Sequence, residues 1–317
     1  MFATKYSMKP LRNSLIFMVM IGSLILAGAC QSGQKKSTVL IEDLEETSSK
    51  SGFESFHQMI NLYPSPAEML SVFDMADMSF EGALVNPAER ADQYLDSKTK
   101  TYALGVYITD LAYAALLGRH EETLDYLDVV KALSEQININ EAVDESMIEN
   151  ARNNLDYLDS LYIISNEAFT NILSFCERNE RSNTIVMLTA GAFIESLFLA
   201  VHMVDDYNTS DQLIQHLAEQ KYTIANFMMF AKSLDSDDPG VISILEDMEK
   251  IQNIYDGIAP GSGAVTIKTS SDPDKKPMKK LTIDGSGADS QPQISEEEFE
   301  ALKAIMLELR NNIVAVK

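Results

Sequence analysis

From Phe53 to about Asp256, apolar residues recur every three to four positions, the spacing that lays a hydrophobic stripe along an α-helix. The clearest case follows Thr101, where Leu104, Tyr107, Ile108, Leu111 and Ala115 share one helical face. The opposite face, Ala103, Val106, Ala112, Ala114 and Leu116, is apolar as well. A helix that is apolar all round belongs among other helices rather than at a surface. Further helices are predicted over 120–136, 142–157, 159–178, 182–205, 209–234 and 240–256. Ser65-Pro66-Ala67-Glu68 reads as a capping box with proline at the first helical position, and Asn86-Pro87-Ala88-Glu89 imitates it. Ser295 with Glu298 opens a last helix whose apolar face is Phe299, Leu302, Ile305, Met306 and Leu309. The breaks between helices are mostly short, which sets neighbours antiparallel. The expected fold is all-α, with antiparallel helical hairpins forming a bundle or a short helical-repeat array.

Two features modify that picture. Between 258 and 294 the helical period stops, and four of the nine prolines gather there with Gly261, Gly263, Gly285 and Gly287. Val265/Ile267 and Leu281/Ile283 alternate, so a small hairpin fits this stretch as well as a disordered loop does. Its basic residues Lys275, Lys276, Lys279 and Lys280 read as a solvated run. The second feature is a weak internal repeat. Gly105-Val106-Tyr107-Ile108-Thr109-Asp110-Leu111 matches Gly191-Ala192-Phe193-Ile194-Glu195-Ser196-Leu197 in residue type, 86 positions apart. That distance fits two helical hairpins of the length found in helical repeats.

The first 29 residues follow a different rule. Lys5, Lys9 and Arg12 precede sixteen apolar or small residues, Ser14 to Ala29, and no acid interrupts them. A basic segment followed by a short apolar run is the pattern of a secretory signal. An uncleaved transmembrane helix is the competing reading, but sixteen residues fall short of the roughly 20 that span a bilayer. The run ends in Leu26-Ala27-Gly28-Ala29-Cys30, which resembles the bacterial lipobox. That resemblance implies cleavage before Cys30 and lipidation of Cys30 itself, with acyl chains tying the protein to a membrane. Gln31, where an acidic residue would retain a lipoprotein at the inner membrane, implies the outer membrane by analogy with the sorting rule of enteric bacteria. The expected organisation is therefore a lipoprotein signal peptide over 1–29, a lipidated flexible tether over 30–52 and a helical body over 53–257. A Pro/Gly-rich loop or hairpin over 258–294 follows, and a C-terminal helix over 295–317 packs on the body.

Charge narrows the partners. With 25 basic and 48 acidic residues the chain carries −23, and losing the three bases before Cys30 takes it to −26. Such a surface repels nucleic acid backbones and anionic lipid heads, so acyl chains rather than protein charge must supply the anchoring. Two cysteines and four histidines allow neither a disulfide framework nor a Cys/His zinc cluster, and no cofactor motif occurs.

Tyr63-Pro64-Ser65-Pro66-Ala67-Glu68, Leu104-Gly105-Val106-Tyr107 with Asp110-Leu111-Ala112-Tyr113, and Gly191 with Ile194-Glu195-Ser196-Leu197 resemble a group of uncharacterised helical lipoproteins of Bacteroidetes. The resemblance runs from Cys30 to the last helix. It implies an exported all-helical body and carries no known activity or active-site residue.

Residues able to carry chemistry are few. Asp235, Asp237, Gly240, Ile242 and Glu246 fall at positions 1, 3, 6, 8 and 12 of a calcium loop. Pro239, however, stands where a side-chain oxygen is needed. The simpler reading is an acidic turn in which Asp237 or Asp238 caps the next helix. Asp110 and Glu195 each interrupt an apolar helix, as a general acid or base would, or as structural acids bonded to backbone groups or to the hydroxyls of Tyr107, Tyr113 or Tyr162 would. His202 shares a face with Asp205 and Asp206, three ligand types that a surface helix end also explains. His120-Glu121-Glu122 lacks the second histidine of a zincin, and Cys176 lies on a helix as a lone, partly buried thiol.

No constellation of these residues defines a catalytic or metal site. The expected function is a non-enzymatic envelope lipoprotein, anchored through Cys30, that binds an envelope protein or small ligand through helical surfaces. The alternatives are an acid/base or metal-dependent enzyme using Asp110 and Glu195 or the 235–246 loop, and a glycan-capture lipoprotein. The absence of tryptophan counts against the last, since sugar platforms usually use aromatic rings.

Overall fold

The computed structural model describes residues 63–75, 78–154, 157–258, 265–269, 279–283 and 292–315. Cys30, the signal and tether segments, His57, Lys275 and Lys276 lie outside the described residues. Nine α-helices occur among them: α1 Pro66–Met75, α2 Ser97–Leu116, α3 His120–Gln136, α4 Glu145–Asn153, α5 Leu158–Arg178, α6 Ser182–His202, α7 Gln212–Ser233, α8 Pro239–Gly257 and α9 Glu296–Val314. The fold class is all-α, as the periodicity predicts.

The capping boxes form as read. Ser65 Oγ accepts the Glu68 N–H at 3.1 Å and the Glu68 carboxylate accepts the Ser65 N–H at 2.7 Å. Ser295 and Glu298 make the same reciprocal pair at the start of α9. The imitation at Asn86 does not cap an α-helix. Only a 3-10 turn, Ala88–Gln93, follows it, and the buried Asn86 amide instead donates to the Tyr94 hydroxyl at 3.0 Å. The helix expected over 142–157 is also shorter. A 3-10 turn occupies Asn140–Ala142, and Asp144, whose carboxylate accepts the Met147 N–H, starts α4 only at Glu145.

α2 and α6 form the most extensive helix pair and the centre of the body. Against them pack α1, α3, α5, α8 and α9, so Ala103 to Ala115 and Ile185 to Val201 are buried throughout. α6 is long and apolar enough to cross a membrane, but here it is a core helix. The two helices approach at the glycines of the internal repeat. A Cβ on Gly105 would lie 2.1 Å from the Leu188 carbonyl oxygen, and one on Gly191 would lie 2.3 Å from that of Tyr102. The 86-residue shift maps Gly105 onto Gly191 and Tyr102 onto Leu188, so the two contacts are equivalent across a local pseudo-dyad. Beyond the crossing, Tyr113 meets Met203 at 3.4 Å, so α2 and α6 run in the same sense.

Within 258–294, Val265–Thr269 (β1) and Lys279–Ile283 (β2) pair antiparallel, with Val265 opposite Ile283 and Ile267 opposite Leu281. The alternation thus belongs to a hairpin.

Candidate functional site

The strongest chemical candidates, Asp110 and Glu195, come together one turn beyond the α2–α6 glycine crossing. Close backbone approach is what allows it: without a Cβ at Gly105 or Gly191 the helices sit near enough for two short acids to meet. The two carboxyl groups lie near enough to affect each other's titration, and both side chains are fully buried. Thr109 seals the crossing beside them, its hydroxyl 3.1 Å from both the Gly105 and the Ala192 carbonyl oxygens.

A third residue completes the cluster. Arg310, on α9, donates through Nε to one Glu195 oxygen at 3.2 Å and through Nη2 to the other at 3.4 Å. Nη2 also donates to the Leu84 carbonyl at 3.0 Å, and the guanidinium lies 4.8 Å from the Phe198 ring centroid. Two residues beyond Leu84, the Asn86 N–H donates to Asp110 Oδ2 at 3.1 Å. The cluster therefore binds the chain before α2, the central helix pair and the C-terminal helix at one point.

Its electrostatics follow from burial. Desolvation, then the charge of Glu195, pushes the Asp110 carboxyl well above the usual carboxylate range, against the opposing pull of Arg310 and the Asn86 N–H. Desolvation raises Glu195 as well, while Arg310 pulls it back. Burial, the largest single effect, would weaken the hold of Arg310 on its proton, but the surrounding acidic groups, Glu195 foremost with Asp110 and Tyr94, together outweigh it.

Two of the tyrosines expected to hold these acids, Tyr107 and Tyr113, are engaged elsewhere, and Tyr162 makes no bond to either acid. Tyr107 donates to the Pro87 carbonyl at 2.9 Å, and Tyr113 accepts from the Glu81 N–H at 2.9 Å. A backbone group, the Asn86 N–H, does hold Asp110 as expected, and the unforeseen partner is Arg310 on Glu195. The sequence does contain its signal: Phe299, Leu302, Met306 and Arg310 continue one helical face, so a guanidinium stands in apolar register.

The other candidates do not assemble into sites. Asp238 caps α8, accepting the Gly240 N–H at 2.7 Å with Pro239 at the helix start, and it pairs with Lys98 at 2.8 Å. Asp235, Asp237 and Glu246 are exposed. His202 Nδ1 donates back to the Phe198 carbonyl at 2.8 Å, while Asp205 and Asp206 are exposed beyond the helix end. Cys176 is fully buried rather than partly so, and desolvation pushes its thiol up to about 11, away from thiolate chemistry. Among the described residues no group of three or more His, Cys, Asp or Glu side chains is placed to hold a metal. A shallow cleft of about 40 Å3 lies between the start of α7 and the entry to α9, lined by Thr209, Gln215, Gln293 and Ile294 among others. None of the acids reaches it.

No family model, curated protein or solved structure matches this chain.

Proposed function

We propose that this protein is an exported lipoprotein, tethered to the outer membrane through Cys30, whose helical body works as a binding or scaffold module. Kinship with the helical lipoproteins of Bacteroidetes belongs to the same proposal. The observation that carries the non-catalytic part is the state of Asp110 and Glu195. Both acids have 0 % exposure; Arg310 takes both Glu195 oxygens, and the Asn86 N–H takes Asp110 Oδ2. A general acid or base must reach a substrate proton directly or through one water, and these carboxyls face each other inside the core. The acidic turn supports the same reading, because Asp238 is committed to a helix cap and an ion pair. The anchoring part rests on the basic start, the short apolar run and the small residues before Cys30.

Chemical cross-linking in growing cells tests the proposal. A module held at the membrane should give a discrete cross-linked species, and Cys30→Ser should lose it because the body no longer resides at that surface. Cross-linking that yields monomer alone, or a species indifferent to Cys30→Ser, would count against an anchored binding module.

A further inference from the structure

Asp110 and Glu195 present a problem of hydrogen bonding that no other described residue solves. Asp110 Oδ2 accepts from Asn86, but Oδ1 is buried with no N–H or O–H donor in reach among the described residues. The Glu195 oxygens are taken by Arg310. Two ionised carboxylates are acceptors only, and these two interact with each other in the buried core. A proton between them resolves the contact, gives Asp110 its missing partner and leaves one negative charge to balance Arg310. We propose that Asp110 and Glu195 share a single proton at neutral pH, and that this proton is a pH-sensitive clamp holding the C-terminal helix α9 to the α2–α6 pair.

The clamp follows from where the charges sit. With the proton in place the buried set is electroneutral. Without it, two like charges face a single guanidinium away from water, an arrangement that costs far more than it returns. Arg310 is the one member of the set on α9, and it touches Glu195 rather than Asp110, so the proton resides mainly on Asp110, although titration belongs to the pair. Other groups around the set hold their charge state. From α2 come Tyr107 and Tyr113, from α3 Tyr126, and from the chain before α2 Tyr94. Burial raises all four phenols, which stay neutral. From α6 comes His202, which burial lowers and which is neutral above mildly acidic pH. Arg310 and Lys303 of α9 supply the positive charge that His202 feels. The dyad is therefore the group whose charge can change between mildly acidic and alkaline pH.

The sign is fixed by linkage. Unfolded carboxyls release their protons near pH 4, while the folded pair keeps one, so folding takes up a proton above that pH. The contribution of Asp110 is complete below the unfolded value. It then falls tenfold in the folding constant for each pH unit, until the folded pair itself titrates.

Infrared difference spectroscopy on the purified full-length protein tests the proton directly. At neutral pH, the wild type minus Asp110→Asn spectrum should show the carbonyl stretch of a protonated carboxylic acid, which an ionised carboxylate lacks. The same band in the wild type alone should persist well above the usual carboxylate range and vanish at alkaline pH, which keeps the test independent of how well the variant folds. Absence of the band at neutral pH would overturn the shared proton. For the clamp, amide exchange corrected for its intrinsic pH dependence should show 296–314 losing protection before 182–202 as pH rises. Asp110→Asn, which mimics the protonated carboxyl, should remove that lead. Uniform loss of protection, or a lead unchanged in Asp110→Asn, would overturn the clamp.

Discussion

Substituting Gly105 by alanine places one methyl group at the closest point of the body. Its Cβ would stand 2.1 Å from the Leu188 carbonyl oxygen and 2.7 Å from the Ala192 nitrogen, both backbone atoms of a buried helix. Non-bonded atoms settle near 3.5 Å, so α2 and α6 must separate by more than about 1 Å, which forfeits roughly a quarter to a half of the dispersion energy across the gap. The Thr109 bond to Ala192 at 3.1 Å and the Asp110–Glu195 contact lie one turn further and would stretch with it. Overpacking usually costs about 1–3 kcal/mol, and the lost interhelical contacts add to this, while alanine in place of glycine returns about 1 kcal/mol of helix propensity. The expected net loss is about 3 kcal/mol or more, which for a body of this size lowers the melting midpoint by roughly 6–12 °C. Thermal unfolding followed by circular dichroism measures it, with Gly82→Ala as control, since the nearest atom to a Cβ there is Phe80 Cε1 at an ordinary 3.5 Å. Gly191→Ala should behave like Gly105→Ala. The double variant should lose less than the two combined, because both separate the same pair. A Gly105→Ala protein as stable as Gly82→Ala would refute the close crossing.

Other predictions follow from the same geometry. Arg310→Met leaves the Glu195 charge buried without a partner and should cost about 3–5 kcal/mol in chemical denaturation; adding Glu195→Gln should recover part of that loss, and no recovery would mean that Arg310 acts by packing alone. Asp238→Ala removes the α8 cap and should cost about 1 kcal/mol. Millimolar calcium should leave the wild-type midpoint in place, whereas a loop with a Kd near 10 μM would add about 2.7 kcal/mol at ~1 mM. A calcium-induced rise abolished by Glu246→Gln would make the turn a metal site.

Local signals in the sequence carried the helices well. α3 matches its expected span, α8 agrees to one residue at each end, and the Ser65 and Ser295 boxes mark their helix starts. Those outcomes depend on residues within a few positions of each other, where periodicity and capping act. Asn86 does not cap an α-helix: its backbone N–H goes to Asp110 of α2, 24 residues on, and its side-chain Nδ2 to the buried Tyr94 hydroxyl. The acids Asp110 and Glu195 stood out as charges in apolar helices, but their meeting depends on a helix crossing that no local pattern encodes. The repeated glycines were the visible trace of that crossing. Arg310 lies 115 residues from its partner Glu195. Its apolar register was legible, but the pairing required the fold.

The most direct test of the anchored-module account is metabolic labelling of growing cells with a fatty-acid analogue, followed by purification of the protein. Wild-type chain should carry the label and partition with the outer membrane, and Cys30→Ser should carry none and accumulate as unprocessed precursor. Undiminished label on the Cys30→Ser protein, or an unlabelled wild type, would contradict the account.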